Sequence, residues 1–165
     1  MRLLPFREED AAKVLSWVTS EKEYYQWSAG MLGAWPVSKE AMLRTYRIED
    51  EGNDFHAMTA TADDLTPIGH LFVRYPCGAD GHARLGAIII DPKLRGTGAG
   101  KQMLKKVIHQ LEECMAANDI RLRVFTDNQP AIRCYESAGF VHTGEYEKMK
   151  FMGHDCETEW MRYAR

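Results

Sequence analysis

The spacing of apolar residues divides this chain into a helical opening and a strand-rich remainder. Residues 1–6 alternate well enough for a short strand. Glu8, Glu9 and Asp10 then suit the positive start of a helix in which Ala11, Val14, Leu15 and Val18 recur at helical spacing. A second helical segment, Ser20 to Trp27, carries Tyr24, Tyr25 and Trp27, and Gly30, Gly33 and Pro36 break the pattern. Ser38 can cap a third helix, Lys39 to Ile48, with Ala41, Met42, Thr45 and Tyr46 on its apolar face.

Beyond the polar loop from Asp50 to Asp54 the pattern turns to strands. Phe55 to Thr61, Ile68 to Tyr75 and Ala83 to Asp91 are joined by turns at Ala62–Pro67 and Cys77–Gly81, short enough for an antiparallel meander. A helix from Ala99 to Ala117 shows Leu104, Val107, Ile108, Leu111 and Met115 on one face, and Asn118-Asp119 stops it. The strand Ile120 to Thr126 follows. A helical crossover of this length makes it parallel to the strand ending at Asp91. Asn128 caps a helix that tolerates Pro130 in its first turn, buries Ala131, Cys134, Tyr135 and Ala138, and ends at Gly139. Val141–Phe151 and Cys156–Arg165 form a closing hairpin across Met152-Gly153-His154-Asp155. The expectation is an α/β (α+β) domain. Its mixed central sheet has an antiparallel N-terminal meander, a parallel pair and flanking helices.

Composition narrows the class. A chain of 165 residues, 45% hydrophobic, is expected to form one domain over residues 1–165 without staples. The net charge of −3 speaks against nucleic-acid binding, and no apolar run is long enough to span a membrane. Cys77, Cys114, Cys134 and Cys156 lie far apart, with neither a CxxC nor a zinc spacing. Reduced thiols, no metal and a cytoplasmic setting are expected.

The chemistry concentrates in AIIIDPKLRGTGAGKQ, residues 87–102. A glycine-rich turn between a strand and a helix leaves several N–H groups unpaired and pointing one way, a seat for phosphate. Three templates compete for it. A phosphate-binding loop of the Walker type fails, because Arg95 stands where its first glycine belongs and Gln102 where its hydroxyl belongs. The dinucleotide fingerprint fails as well, with Lys101 or Met103 in place of its last glycine. The third template, Arg-x-x-Gly-x-Gly, fits Arg95, Gly98 and Gly100.

With that motif the stretch resembles the GCN5-related N-acetyltransferase (GNAT) superfamily. The segment from Asn128 to Phe140, which reads N-x-x-A-x-x-x-Y-x-x-x-G-F with Asn128, Ala131, Tyr135, Gly139 and Phe140, is similar to the family's next motif. The opening RLLPFREEDAAKVLSW is also similar to members of the ribosomal-protein alanine acetyltransferase kind. The resemblance implies a GNAT fold with a splayed parallel strand pair. It also implies direct acetyl transfer from acetyl-CoA, as cosubstrate and without a metal, to a primary amine of a small molecule or a protein N-terminus. It places the pyrophosphate on Arg95, Gly96, Thr97, Gly98, Ala99, Gly100 and Lys101, and the pantetheine arm along the backbone of Ile88, Ile89 and Ile90. The Ile90 N–H would polarise the thioester carbonyl. Asn128 would serve as helix cap, cofactor ligand or both, and Tyr135 as general acid toward the departing thiolate.

Some members carry a glutamate base at the position that is Arg84 here. Either a water chain deprotonates the amine, or Glu23, His70 or His82 does. Glu23, Tyr24, Tyr25 and Trp27 are the candidate acceptor wall, with helix packing as the competing role of the aromatics. A non-catalytic acetyl-CoA sensor and a transferase using another acyl-CoA are the alternatives, and a homodimer is a reasonable expectation.

Overall fold

The computed structural model describes residues 1–50, 54–75, 81–151 and 154–164. The expected turns at 77–81 and 152–155, and the loop at 50–54, lie largely outside them. Among the described residues seven strands form one sheet in the order β1-β2-β3-β4-β5-β7-β6. They are β1 (Arg2–Pro5), β2 (Phe55–Thr61), β3 (Pro67–Arg74), β4 (His82–Ile90), β5 (Asp119–Phe125), β6 (Phe140–Phe151) and β7 (His154–Tyr163). Every neighbouring pair is antiparallel except β4 with β5, the pair joined by a helical crossover.

Helices α1 (Ala11–Leu15), α2 (Glu21–Ser28), α3 (Lys39–Asp50), α4 (Ala99–Met115) and α5 (Gln129–Ala138) cover the sheet. On one face α4 and α5 bury Met103, Leu104, Val107, Leu111 and Tyr135 against Leu85, Leu122, Val124 and Met161. On the other, α1–α3 bury Val14, Trp27, Met42 and Tyr46 against Phe55, Phe72, Ala87 and Ile89.

Two boundaries differ from the periodicity. The first helix stops at Leu15, because Trp17 and Val18 tighten into hydrogen bonds with the carbonyls three residues back, yet Val18 is still buried. The residues before it, Glu8–Asp10, form a 3-10 turn. Asp10 is buried there and accepts hydrogen bonds from the Arg7 N–H and the Thr59 hydroxyl. The α4 helix ends two residues early, at a left-handed Ala116.

His70 sits in the second core, fully buried, with its Nε2 2.8 Å from the Tyr46 hydroxyl and its ring stacked on the Tyr46 ring. Burial pushes its pKa down to about 3. The unfolded chain would take up that proton near the ordinary histidine value of about 6.5. The stability tied to neutral His70 is therefore intact above about pH 6.5 and is lost progressively as the pH falls toward about 3. His70→Gln keeps a polar group beside Tyr46 but removes this titration. Unfolding free energies from urea titrations, measured from neutral pH downward, should fall less steeply in the variant, by up to about 1.4 kcal/mol per pH unit. Equal slopes would mean that His70 takes up its proton without unfolding.

Candidate active site

The parallel pair does not stay paired. β4 and β5 run in register from His82–Asp119 to Leu85–Leu122 and then part, although both strands continue. The cause lies on the other side of β4. Between the pairs Phe72–Gly86 and His70–Ile89, β4 carries one residue more than β3. Ala87 takes up the excess with a left-handed φ of 45°. The bulge turns β4 away from β5 and changes which residues face which core. Leu85 packs toward α4, whereas Ala87 and Ile89 pack toward α1–α3. The Asp91 N–H bonds to Ile68 on β3. Main-chain groups alternate along a strand, so those of Ile88 and Ile90 face the opening.

Below the opening the chain makes its glycine turn. Gly96 and Gly98 have φ of 77° and 88°, and a Cβ at either would meet no atom within 4 Å. Their side of the turn is open, and the first amides of the 17-residue α4 follow at once. Gly100 answers to packing instead, since a Cβ there would lie 2.7 Å from the Cys134 sulfur on α5. The opposite wall is α5, capped by Asn128 Oδ1 on the Ala131 N–H at 3.3 Å.

Helix α2 closes the site from above. Glu23 reaches Arg95 of the glycine turn at 3.1 Å. Lys22 and Gln26 reach Asp127, before α5, at 3.1 and 3.0 Å. The Trp27 indole donates to the Ala87 carbonyl at the bulge, at 2.8 Å. Together these elements enclose a cleft of about 750 Å³.

The cleft gathers most of the residues the motifs single out. Ile88, Ile89, Ile90, Arg95, Gly96, Gly98, Gly100, Lys101, Asn128 and Tyr135 line it, with Glu23 and Trp27. Thr97 and Ala99 belong to the turn but do not line the cleft. Nor do Tyr24 and Tyr25: Tyr24 is fully buried among Tyr25, Trp27 and Trp35, and its hydroxyl donates to the Gly33 carbonyl. Arg95 is held by protein groups. Its guanidinium donates to Glu23, to the Trp17 carbonyl at 3.3 Å and to the Ile90 carbonyl at 3.5 Å. Lys101 is exposed and makes no ion pair among the described residues. The sequence motifs did not single out Arg123, Cys134 and Gln26, which also line the cleft. Arg123 had one legible signal, a charge in an apolar strand.

The candidate bases are spread apart. His70 is sealed in the core, and His82 lies at the far end of β4, paired with Asp119 at 2.8 Å. Glu23 is in the cleft, but the Thr19 main-chain N–H above all, then the Thr19 hydroxyl and Arg95, hold its carboxyl below the usual range. Arg84 lies outside the cleft lining. Burial, with a smaller contribution from the neighbouring Cys134, raises the Tyr135 pKa well above that of a free phenol, so the hydroxyl keeps its proton at neutral pH. Among the described residues no group of His, Cys, Asp and Glu is placed to hold a metal ion.

The chain belongs to the acetyltransferase (GNAT) family, whose model matches residues 14–140. Over 68 residues it is 38% identical to a spermine/spermidine N(1)-acetyltransferase of Bacillus subtilis (strain 168), a match covering 41% of this chain and 45% of that protein. A probable spermine N(1)-acetyltransferase of Bacillus subtilis subsp. natto matches to the same extent. The chain thus spans a little under half the length of these relatives. The fold is also that of the spermidine N-acetyltransferase from Vibrio cholerae, solved in complex with CoA and spermine. The TM-score is 0.81 at 18% identity, covering 98% of this chain and 93% of that one.

The bulge depends on close contact at Gly86, where an added Cβ would fall 2.2 Å from the Phe72 ring. That ring is itself packed on Phe55 at 4.8 Å. Gly86→Ala should therefore lower thermal stability by about 1–3 kcal/mol, the usual cost of overpacking. An unchanged melting temperature would mean that Phe72 swings clear without cost.

Proposed function

We propose that this chain is an acetyl-CoA-dependent N-acetyltransferase that passes the acetyl group directly to a primary amine. The observation that carries the reading is the parting of β4 from β5 above Leu85, which leaves the main chain of Ile88 and Ile90 facing a cleft lined by Tyr135. The open left-handed turn at Gly96 and Gly98, backed by the positive end of α4, fits a pyrophosphate, and Lys101 adds charge at its edge.

Acetyl-CoA supplies a thioester, whose C–S bond breaks as the amine nitrogen forms the new C–N bond. The rest falls to the chain. The Ile90 N–H donates to the carbonyl oxygen as negative charge grows there. Tyr135, which burial keeps protonated, gives its proton to the departing thiolate. Asn128 fixes the first turn of the helix that carries Tyr135. Arg95 ties α2 to the end of β4 through three protein oxygens, which leaves two of its five N–H donors for the pyrophosphate. With His70 sealed, His82 remote and Glu23 held as a weak base, the amine loses its proton to water in the cleft. The names of the Bacillus relatives supply a second reading of the acceptor, spermine or spermidine.

Thiol release from acetyl-CoA in the presence of a panel of primary amines tests the activity. Tight CoA binding with no release on any amine would favour a sensor. Tyr135→Phe should lower kcat by about 10²-fold or more with acetyl-CoA affinity preserved; unchanged turnover removes the general-acid role. Gly98→Asp should abolish acetyl-CoA binding in calorimetry. It sets a carboxylate where phosphate would lie and forces a side chain onto a φ of 88°. Normal affinity in that variant would remove the phosphate from this turn.

A further inference from the structure

On the sheet face opposite α4 and α5, four arginines stand in register across four strands. Arg74 pairs with Arg84, Arg84 with Arg121, and Arg121 with Arg162. Arg123 lies on the same face, one pairing step toward the cleft, opposite Trp160. Like charges placed directly across a sheet oppose one another, so such a row costs stability unless something neutralises it.

Four of these five arginines have a carboxylate. Arg74 has Asp54 at 3.9 Å, Arg121 and Arg162 share Asp119 at 2.9 and 2.7 Å, and Arg123 has Glu147 at 2.5 Å. Arg121 also approaches Glu145 at 3.7 Å. Arg84, in the middle of the row, makes no ion pair among the described residues. Its guanidinium lies on the Trp160 ring, 4.7 Å from the centroid, and that of Arg123 lies 5.8 Å from the same ring. The oxygens of Glu147 accept one bond from Arg123 and one from the Trp160 indole, the latter at 2.9 Å. Burial first, then the charges of Arg123 and Arg74, depress the Arg84 pKa, and the Glu147 carboxylate offsets part of that.

The patch is continuous with the cleft. Arg123 and Gly86 line the cleft, and Gly86 lies on the same strand face as Arg84. From this side an amine would approach the gap at Ile88. Along β4, Ile88 lies about 7 Å from the level of Gly86 and about 13 Å from Arg84. We propose that Arg84 and Arg123, flanking Trp160, bind an anionic group on the acceptor. The acceptor is then a primary amine bearing a carboxylate or phosphate roughly 7–13 Å from its nitrogen. A bare polycation would meet repulsion on this wall. The proposal rests on the transferase reading above and refines its acceptor.

The test compares hexylamine, aminohexanoate, aminohexyl phosphate and spermidine with the full chain. Thiol release gives kcat/KM, and calorimetric titration into the CoA-loaded protein gives affinity. Thiol release from any acceptor decides the transferase reading; the order of preference, readable from binding even without turnover, decides this one. One or both anionic amines should exceed hexylamine by about tenfold or more, the effect of one charge-assisted hydrogen bond. The two anionic arms separate a carboxylate site from a phosphate site. The preference should shrink with added salt. In Arg84→Gln and in Arg123→Gln the ratio should fall toward one through KM, while Arg84→Lys restores part of it. Spermidine bound as well as the anionic amines, or an anionic preference that survives both Gln variants, overturns the proposal.

Discussion

One extra residue in β4 governs the site. It breaks the register with β3 between Gly86 and Ile89, obliges Ala87 to adopt a left-handed backbone, and turns the strand out of its pairing with β5. A regular strand would have kept its hydrogen bonds through Phe125 and left no gap. The cost of the irregular backbone is met locally. Phe72 packs into the space above Gly86, and the Trp27 indole satisfies the Ala87 carbonyl. The same bulge sends Ile89 to one core and leaves Ile88 and Ile90 on the other side, so the cleft and the two cores share a single cause.

Around that gap each wall is tied to another. Arg95 joins the glycine turn to α2 and to the end of β4, and Asp127 joins α2 to the start of α5. These ion pairs are largely exposed, so each contributes at most about 1 kcal/mol. Their effect is geometric: they hold α2 over the cleft from both sides. The α2 aromatics divide accordingly, with Trp27 reaching the bulge and Tyr24 turned into the helix core.

Most of the architecture was legible along the chain, because periodicity and turn chemistry are local. The meander follows from the alternating runs between Phe55 and Ile90, and both strand-to-helix junctions from Ile88–Gly100 and Asn128–Gly139. The apolar spacing runs past the end of the first helix, because Val18 keeps helical spacing after the helix has ended; burial and hydrogen bonding are separate properties at that residue. In the site, the glycine turn and the residues around Asn128 and Tyr135 could be read because their spacing is short. The surroundings of His70, His82 and Arg95 could not, because what each side chain meets comes from distant parts of the chain: Tyr46, Asp119 and Glu23.

By itself, then, the sequence determined the elements, their order and a glycine turn suited to phosphate, since hydrophobic period and backbone freedom are properties of neighbouring residues. Tertiary structure alone decided that β4 leaves β5, that Arg95 meets Glu23 and the Trp17 carbonyl, and that Arg74, Arg84, Arg121 and Arg162 stand in one row. Register and bulges arise from pairing between strands far apart in the chain. A shift of one residue would have turned those arginines to the opposite face.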